Sequence, residues 1–303
     1  MIGRHAGSSI STGDYNVMIG DQSGRHVSTG YNNVYMGYRS GYHSYADYDN
    51  VCIGYEAGYG NSSSTSYRNI FIGKNAGYHI NNGNYNTCIG HHAGNNISDG
   101  SDNIMMGKHS GRYTTSGSGN IMMGERSGYC LRTGTKNVFL GHYAGYHAGR
   151  QEGSPYADYA TDGNIFIGNQ AGYHMYNGNN NTFIGTTAGY CIRGGSYNDC
   201  IGYEAGYNIN SGGKNTCIGY HAGKSITSAS NNVCIGNEAG KCLSTGAQNV
   251  CIGYHAGRST SSDSDNILIG HRAGEHINGG QNVCMGYHAG YQMNGGSNNV
   301  AIG

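Results

Sequence analysis

The chain has 303 residues with 56 glycines, 28 tyrosines, one proline and no tryptophan, and its 17 basic side chains balance 17 acidic ones. With zero net charge and 11% charged residues, the sequence lacks the basic patch typical of proteins that bind nucleic acid or an anionic membrane. Glycine does not recur at every third residue and no apolar run approaches the roughly 20 residues that span a bilayer, which excludes a collagen triple helix and a transmembrane helix in this sequence.

A repeat of 17 residues runs along the chain and dominates its organisation. Counting from an asparagine at position 0, each copy reads Asn, Val/Ile/Thr, an apolar residue, Ile/Met/Leu, Gly, two polar residues, Ala/Ser and Gly, followed by a variable half with Gly near position 14. This regular apolar signal argues against disorder. The position 0 asparagines are Asn16, Asn33, Asn50, Asn69, Asn86, Asn103, Asn120, Asn137, Asn164, Asn181, Asn198, Asn215, Asn232, Asn249, Asn266, Asn282 and Asn299.

The spacing of the repeats is irregular at three places: 19 residues after Asn50, 27 after Asn137 and 16 after Asn266. The longest step contains the only proline, Pro155, and predicts a loop inserted at about residues 147–163. The sequence begins at position 2 of one copy and ends midway through another, whereas repeat arrays carry capping segments. We therefore expect residues 1–303 to form a single array excerpted from a longer chain.

Each repeat predicts one coil of an all-β, parallel β-solenoid (β-roll) of about 17 coils, because a Gly-rich unit of this length is too short for a pair of helices. Positions 0 to 3 predict a short strand ended by glycine, and positions 7 to 11 predict a second strand or bent segment, with a turn near position 14. Stacking at the strand spacing of about 4.8 Å would give a rod roughly 80 Å long.

The two faces of the predicted strand are both apolar. We expect position 3, which is always Ile, Met or Leu, to face the interior of the coil, and position 2 to point the other way. Position 2 nevertheless holds Phe, Met, Cys, Leu, Tyr or Ala. A strand that is apolar on both faces is covered on both faces, here by another chain or by another wall of a wider coil.

The repeat resembles sequences of known surface fibres. Asn181 to Gly189 reads NTFIGTTAG and Asn215 to Gly223 reads NTCIGYHAG. These copies resemble the head repeats of trimeric autotransporter adhesins, and more closely the NTFIGYQAG-type arrays of phage-tail-fibre-like surface proteins. The resemblance covers the whole chain and implies a trimeric parallel β-roll in an extracellular fibre. The adhesin coils are typically shorter, and neither a stalk, an anchor nor a chaperone domain is present in this sequence.

The cysteines and histidines do not form a pattern typical of a metal site. Cysteines at position 2 alternate between copies with Phe, Met and Leu, which indicates small buried hydrophobes, and no two have CxxC spacing. Histidines at positions 5, 6 and 10 alternate with Arg, Glu, Asn, Ser and Thr, which is typical of a lightly constrained surface. We therefore expect no metal and no cofactor, although a cation bound locally by stacked histidines stays an alternative.

Two ladders of side chains are the candidate sites. We interpret the position 0 asparagines as a structural hydrogen-bond ladder, represented by Asn181, Asn198, Asn215, Asn232 and Asn249. Position 9 is rich in tyrosine, with Arg or Lys in other copies, and its tyrosines include Tyr129, Tyr146, Tyr173, Tyr190 and Tyr207. The tyrosines either stack on one another and stiffen the array, which we prefer, or face a glycan or protein ligand.

No catalytic residues are predicted, because the acidic side chains are scattered and no repeat position concentrates carboxylates. Asn61, Asn96 and Asn180 match the acceptor pattern for N-glycosylation. We predict a structural segment of an extracellular fibre or adhesin-like filament at a cell or virion surface, with a mechanical and display role. Its expected partner is itself, as a homotrimer or filament, with neither nucleic acid nor membrane contact. The alternative is a receptor- or glycan-binding fibre module.

Overall fold

The computed structural model describes residues 1–61, 65–150 and 159–303 and divides the chain into two compact units, Met1–Asp162 and Gly163–Gly303. Each unit is an all-β parallel β-solenoid, as predicted, with roughly 16 to 17 coils in the two units together. None of the described residues forms a helix that could span a bilayer. The middle of the predicted insertion, including Pro155, lies outside the described residues.

Each coil contributes one three-residue strand at positions 1 to 3. The strands of the first unit are β1 (Val17–Ile19), β2 (Val34–Met36), β3 (Val51–Ile53), β4 (Ile70–Ile72), β5 (Thr87–Ile89), β6 (Ile104–Met106), β7 (Ile121–Met123) and β8 (Val138–Leu140). Those of the second unit are β9 (Ile165–Ile167), β10 (His174–Met175), β11 (Thr182–Ile184), β12 (Cys191–Ile192), β13 (Asp199–Ile201), β14 (Thr216–Ile218), β15 (Val233–Ile235), β16 (Val250–Ile252), β17 (Ile267–Ile269), β18 (Val283–Met285) and β19 (Val300–Ile302).

The strands pair in parallel with the equivalent strand of the next coil, so that equivalent repeat positions lie side by side. Val233 pairs with Val250 and Cys234 with Cys251. The register survives the 19-residue and 16-residue steps, because Val51 pairs with Ile70 and Ile267 pairs with Val283. At the longest step, Asn137 Nδ2 donates to the carbonyl of Thr161 at 2.6 Å, so Thr161 takes the place that the position 14 residue has in other repeats.

The second predicted strand forms at only one place in the described residues, where β10 pairs with β12. In other copies positions 7 to 11 are turns that still hydrogen-bond to the next coil, as in Gly24 N to Ser40 O at 2.8 Å and His26 N to Tyr42 O at 3.0 Å. The glycine at position 8, with φ near +56° at Gly24, bends this segment out of the extended conformation. Stacking in register therefore does not require an extended chain here.

The predicted orientation of the strand was wrong: position 2 faces the interior, and positions 1 and 3 face outward. Cys200 at position 2 is fully buried, whereas Ile201 at position 3 is 39% exposed. The interior is one side chain wide, because the position 2 side chain lies against the position 8 glycine and the apolar residue at position 11, here Gly206 and Ile209. Alternation along the strand then places positions 1 and 3 outside.

The interior columns are continuous from coil to coil. At position 2, Phe166 and Phe183 stack with ring centroids 5.0 Å apart. At position 7, the Ala or Ser of every coil in the two units is buried, except in the first coil of the chain. Where position 7 is serine, its hydroxyl donates to the position 2 carbonyl of the next coil, as in Ser127 Oγ to Phe139 O at 2.8 Å. The small residue at position 7 thus leaves room for the large one at position 2.

A buried carboxylate in the first unit predicts a pH-dependent stability. Asp47 is 2% exposed and accepts hydrogen bonds from Ser66 N at 2.6 Å and Ser66 Oγ at 3.1 Å. Burial outweighs these bonds and raises the pKa of Asp47 to about 6. Because the folded pKa lies above the unfolded one, the folded state binds the proton more tightly. Its stability should rise as the pH falls through 6.

We expect the free energy of unfolding of the first unit to increase by about 1 to 1.5 kcal/mol between pH 7.5 and pH 5 through this group. Denaturant titrations of the wild type and of Asp47→Asn at both pH values measure it. The Asn variant keeps an acceptor for Ser66 and should lose this pH dependence. An equal dependence in the two proteins would show that other groups cause it.

Candidate functional site

An exposed and mostly apolar surface of the second unit is formed by the outward side chains of its strands at positions 1 and 3, which we call the strand face. Thr182, Asp199 and Thr216 are its polar members, and Ile218 and Ile267 illustrate the apolar ones, with exposures of 37% and 40%. The full set is Ile165, Ile167, Thr182, Ile184, Asp199, Ile201, Thr216, Ile218, Val233, Ile235, Val250, Ile252, Ile267, Ile269, Val283, Met285, Val300 and Ile302.

The first unit repeats this arrangement on β1 to β8. Val17, Ile70 and Met123 are each 39 to 46% exposed, and Thr87 is the polar residue among the outward positions of these strands. Parallel sheets are ordinarily covered on both faces. The described part of the chain covers the inner face of each sheet and leaves the outer one open.

Exposed aromatic residues lie two positions beyond the strand, at position 5, and were not among the candidates predicted from the sequence. In the second unit Tyr203, Tyr220, Tyr254 and Tyr287 are 43 to 70% exposed. Tyr203 stacks on Tyr220 with centroids 5.5 Å apart, and Tyr254 stacks on His271 at 5.1 Å. The signal in the sequence is that tyrosine recurs at position 5. Tyrosine recurs more often at position 9, so position 5 was not distinguished from other surface positions.

The position 0 asparagines form a ladder of hydrogen bonds. Asn249 donates from its backbone N to Asn232 Oδ1 at 2.9 Å and from Nδ2 to the same oxygen at 3.2 Å. Asn232 Nδ2 also donates to the carbonyl of Gly246, the position 14 residue of its own repeat, at 3.0 Å. The same contacts join the asparagines of the second unit, which include Asn181, Asn198, Asn215, Asn232 and Asn249.

These asparagines are buried and their polar atoms are used within the ladder. One side chain therefore ties the start of the strand to the turn at position 14 and to the coil on either side. Such a fully engaged amide has no hydrogen-bonding capacity left for a ligand. The geometry makes the ladder a structural element.

The position 9 tyrosines also form columns, with their rings face to face. Tyr129 stacks on Tyr146 with centroids 5.0 Å apart in the first unit. In the second unit Tyr173 stacks on Tyr190 at 5.3 Å and Tyr190 on Tyr207 at 5.0 Å, with planes within 8° of parallel. All five are partly buried. Each inner ring uses its faces on its neighbours, and so the faces are not available to stack on a sugar.

Charged residues continue this column in the second unit. Lys224 Nζ lies 5.7 Å from the centroid of Tyr207 and 2.5 Å from Glu204 Oε2. Beyond it, Glu238 receives Lys241 Nζ at 2.7 Å and Arg258 Nε at 2.5 Å. Burial alone would raise the pKa of Glu238, but the hydrogen bonds from Lys241 and Arg258 outweigh it and lower this pKa to about 2. The charges here are paired within the solenoid.

The cysteines occupy positions 2 and 10 of the repeat, and those at position 2 lie in the interior of the coil. Cys200, Cys217, Cys234 and Cys251 are free thiols in adjacent coils, fully buried in the interior column. Hydrogen bonds with the preceding cysteine of the column, and then burial, raise the pKa of Cys217, Cys234 and Cys251 well above the usual range. A protonated, enclosed thiol is unreactive and packs as a hydrophobe.

Three histidines of the first unit approach one another. His91, His92 and His109 each place one ring nitrogen within 4.8 Å of the others, and among the described residues they are the one group of three His, Cys, Asp or Glu side chains with this spacing. Burial first, and then the charges of His91 and Arg112, lower the pKa of His92 to about 4. Burial and Arg112 likewise lower the pKa of His109 to about 4. Both rings are therefore neutral at pH 7.

The three glycosylation acceptors differ in accessibility. Asn61 and Asn180 are exposed, and the hydroxyl residue that completes the Asn61 motif, Ser63, lies outside the described residues. Asn96 is partly buried and its Nδ2 donates to Arg112 O at 3.0 Å. A glycan on Asn96 would have to compete with that hydrogen bond.

Comparisons of this chain with protein-family models, with curated proteins and with solved structures found no match in any of the three. The structure itself defines the class of the chain as a β-solenoid with a 17-residue repeat.

Proposed function

We propose that this chain is a structural segment of an extracellular fibre or adhesin-like filament, and that it self-associates through its strand face into a homotrimer. The observation that supports this proposal is the open apolar face on each sheet, with Asp199 as the charged residue among the outward strand positions of the second unit. The role is mechanical and display, at a cell or virion surface. No catalytic activity is proposed.

The strand face is large for the surface of a monomer. From β9 to β19 its coils, stacked at about 4.8 Å, extend over roughly 40 Å, which gives an apolar patch of several hundred Å². Contiguous patches of that size usually mark an interaction site. Covering the exposed part of each Ile or Val contributes on the order of 1 kcal/mol. Summed along the face, this is comparable with the roughly 4 to 15 kcal/mol that association costs.

A second copy of the chain is the partner that matches this face along its length. The outward side chains recur at the strand spacing, so their ridges meet matching grooves only on a surface with the same spacing. Because the net charge is zero, no net electrostatic repulsion opposes the close approach of two copies. The resemblance of the repeat to trimeric β-roll adhesins favours three chains around one apolar core.

The remaining surfaces support a structural role. The described surface grooves are open, and one of them is lined by Ser196, Tyr197, Lys214, Ser230 and Asn231, with no carboxylate pair for acid and base chemistry. The position 9 tyrosines stack on each other, which supports a stiffening role over the glycan-binding alternative. The asparagine ladder joins successive coils within each unit.

We expect the double variant Ile218→Lys, Ile235→Lys to be monomeric under conditions in which the wild type is an oligomer. Two ammonium groups in the strand face would be desolvated on association, and each unpaired charge costs several kcal/mol. Sedimentation equilibrium or light scattering measures the mass, and circular dichroism verifies that both proteins are folded.

The matched control is Asn231→Lys. Asn231 is an exposed position 16 residue with φ of +60°, and Lys214 holds the same position with φ of +59° one coil earlier. This control should keep the oligomer. A wild type that remains monomeric at high micromolar concentration would refute self-association through this face. An oligomer that survives the double variant would place the interface elsewhere.

A further inference from the structure

We propose that His91, His92 and His109 form a binding site for one divalent transition-metal ion of the zinc and copper class, with water completing its coordination. This inference is independent of the proposed function, since it concerns the turns of two adjacent coils of the first unit rather than the strand face. Imidazole is the side chain that Zn²⁺, Cu²⁺ and Ni²⁺ share as a preferred ligand.

The repeat itself brings the three rings together. His91 and His92 are positions 5 and 6 of one coil, and His109 is position 6 of the next, 17 residues later. The ring centroids lie 4.3 Å apart for His91 and His92 and 5.4 Å for each of the other two pairs. In the second unit position 6 alternates Glu204, His221, Glu238 and His255, and His271 and His288 of adjacent coils stack at 5.6 Å but form only a pair.

The distances suit a site that closes on its ion. Nitrogens around a tetrahedral zinc ion with bonds of about 2.0 to 2.1 Å lie roughly 3.4 Å from one another. Here the nitrogens lie within 4.8 Å, so side-chain rotation of a little over an ångström brings them together. His91 is exposed, which gives it room to rotate and leaves an open side of the site for water.

An unpartnered nitrogen on one ring favours a ligand, and a neighbouring amide positions another ring. His109 Nδ1 is buried and has no hydrogen-bond partner among the described residues. A buried polar atom without a partner costs about 1 to 3 kcal/mol, which a bound ion on this ring would offset. His92 Nδ1 lies 3.0 Å from Asn95 Nδ2, which positions the ring. Because a metal-bound histidine donates its outer N–H, binding of an ion through Nε2 would require the Asn95 amide to turn so that its oxygen accepts from Nδ1–H.

The surrounding charges set the expected affinity. Lys74, Lys108 and Arg112 lie close enough to act on His91, and they oppose a dication. Lys108 is partly neutralised by Glu125, 3.4 Å away. With three neutral nitrogen ligands and these cations nearby, we expect dissociation constants in the micromolar range rather than the far tighter values of closed structural zinc sites. Removing the Lys108 charge should therefore strengthen binding.

The experiment is a calorimetric titration of the folded full chain with Zn²⁺ alone and, separately, with Cu²⁺ alone, whose electron paramagnetic resonance spectrum reports the number of coordinating nitrogens. We expect one ion per chain and a spectrum typical of several imidazole nitrogens. His109→Gln and His92→Asn should each weaken binding at least tenfold. Both replacements occur naturally at position 6, as Gln22 and Asn75, so the variants should fold.

The controls separate this site from other ligands. His79→Asn removes an exposed imidazole at position 10, where Asn208 occurs in another copy, and should leave the titration unchanged. Lys108→Gln should tighten binding severalfold. Absence of any binding by the wild type would overturn the proposal. So would binding that His109→Gln and His92→Asn do not weaken, because the ion would then lie on other side chains.

Discussion

Replacing Asn232 by Ala is expected to lower the free energy of unfolding of the second unit by about 3 to 5 kcal/mol. The side chain donates to Asn215 Oδ1 at 3.1 Å and to Gly246 O at 3.0 Å, and it accepts from Asn249 N at 2.9 Å. Asn215 Oδ1 still accepts from the backbone N of residue 232, but alanine leaves Gly246 O and Asn249 N buried without partners, at about 1 to 3 kcal/mol each. Hydrogen exchange at the Asn249 amide should show the loss directly, as faster exchange.

Two comparison variants sharpen this test. Asn237→Ala removes an exposed asparagine at position 5 of the same coil and should change stability by less than about 0.5 kcal/mol. Asn232→Asp keeps an acceptor for Asn249 but buries a carboxylate. Its pKa should be raised in the folded state, so the variant should regain stability as the pH falls. Equal stability of Asn232→Ala and Asn237→Ala would show that the ladder contributes little.

Replacing Gly236 by Ala is expected to be at least as damaging, with a loss of about 4 kcal/mol or more. Gly236 has φ of +131°, a conformation that costs a residue with a side chain about 1 to 3 kcal/mol. An added Cβ would also lie 2.5 Å from the carbonyl oxygen of Gly253, the equivalent glycine of the next coil. Both are backbone effects, so no side-chain rearrangement relieves them, and the two coils must separate. Denaturant unfolding measures the loss.

Gly295→Ala is the matched control for the clash. Gly295 also has a positive φ, +85°, but an added Cβ would meet nothing within 4 Å. This variant should therefore show only the conformational cost, about 1 to 2 kcal/mol. If the two glycine variants lost the same stability, close stacking of the position 4 glycines would not be the reason for that glycine in each repeat.

The asparagine and glycine effects have a common origin in the way the coils stack. Equivalent residues lie one strand spacing apart, so each side chain meets its own counterpart along the solenoid. A column of asparagines can satisfy itself, a column of tyrosines can stack, and a column of glycines can approach most closely. In this way, one repeat position specifies a contact that recurs at every step, and one substitution breaks the contacts on both sides of it.

Much of the fold could be predicted from the sequence, because a 17-residue period with one apolar stretch per unit is compatible with few architectures. The asparagine ladder was also predictable, since the same amide recurs at one repeat position. The three-histidine group was not singled out, because its members are ordinary surface residues taken one by one. They become a group only when His109 is stacked on the coil that holds His91 and His92.

The orientation of the strand was decided by the tertiary structure alone. Residues at positions 2 and 3 are both apolar, as in Cys251 and Ile252, so hydropathy cannot distinguish the inner from the outer face. What decides is volume: the position 2 side chain fills the narrow interior beside the alanine of position 7 and the residue of position 11, and the pleat then turns Ile252 outward. By itself the sequence determined the solenoid, its repeat and its ladders, because these depend on periodicity. Which apolar row is left for a partner depends on how the coil closes, and that involves residues distant from the strand in sequence.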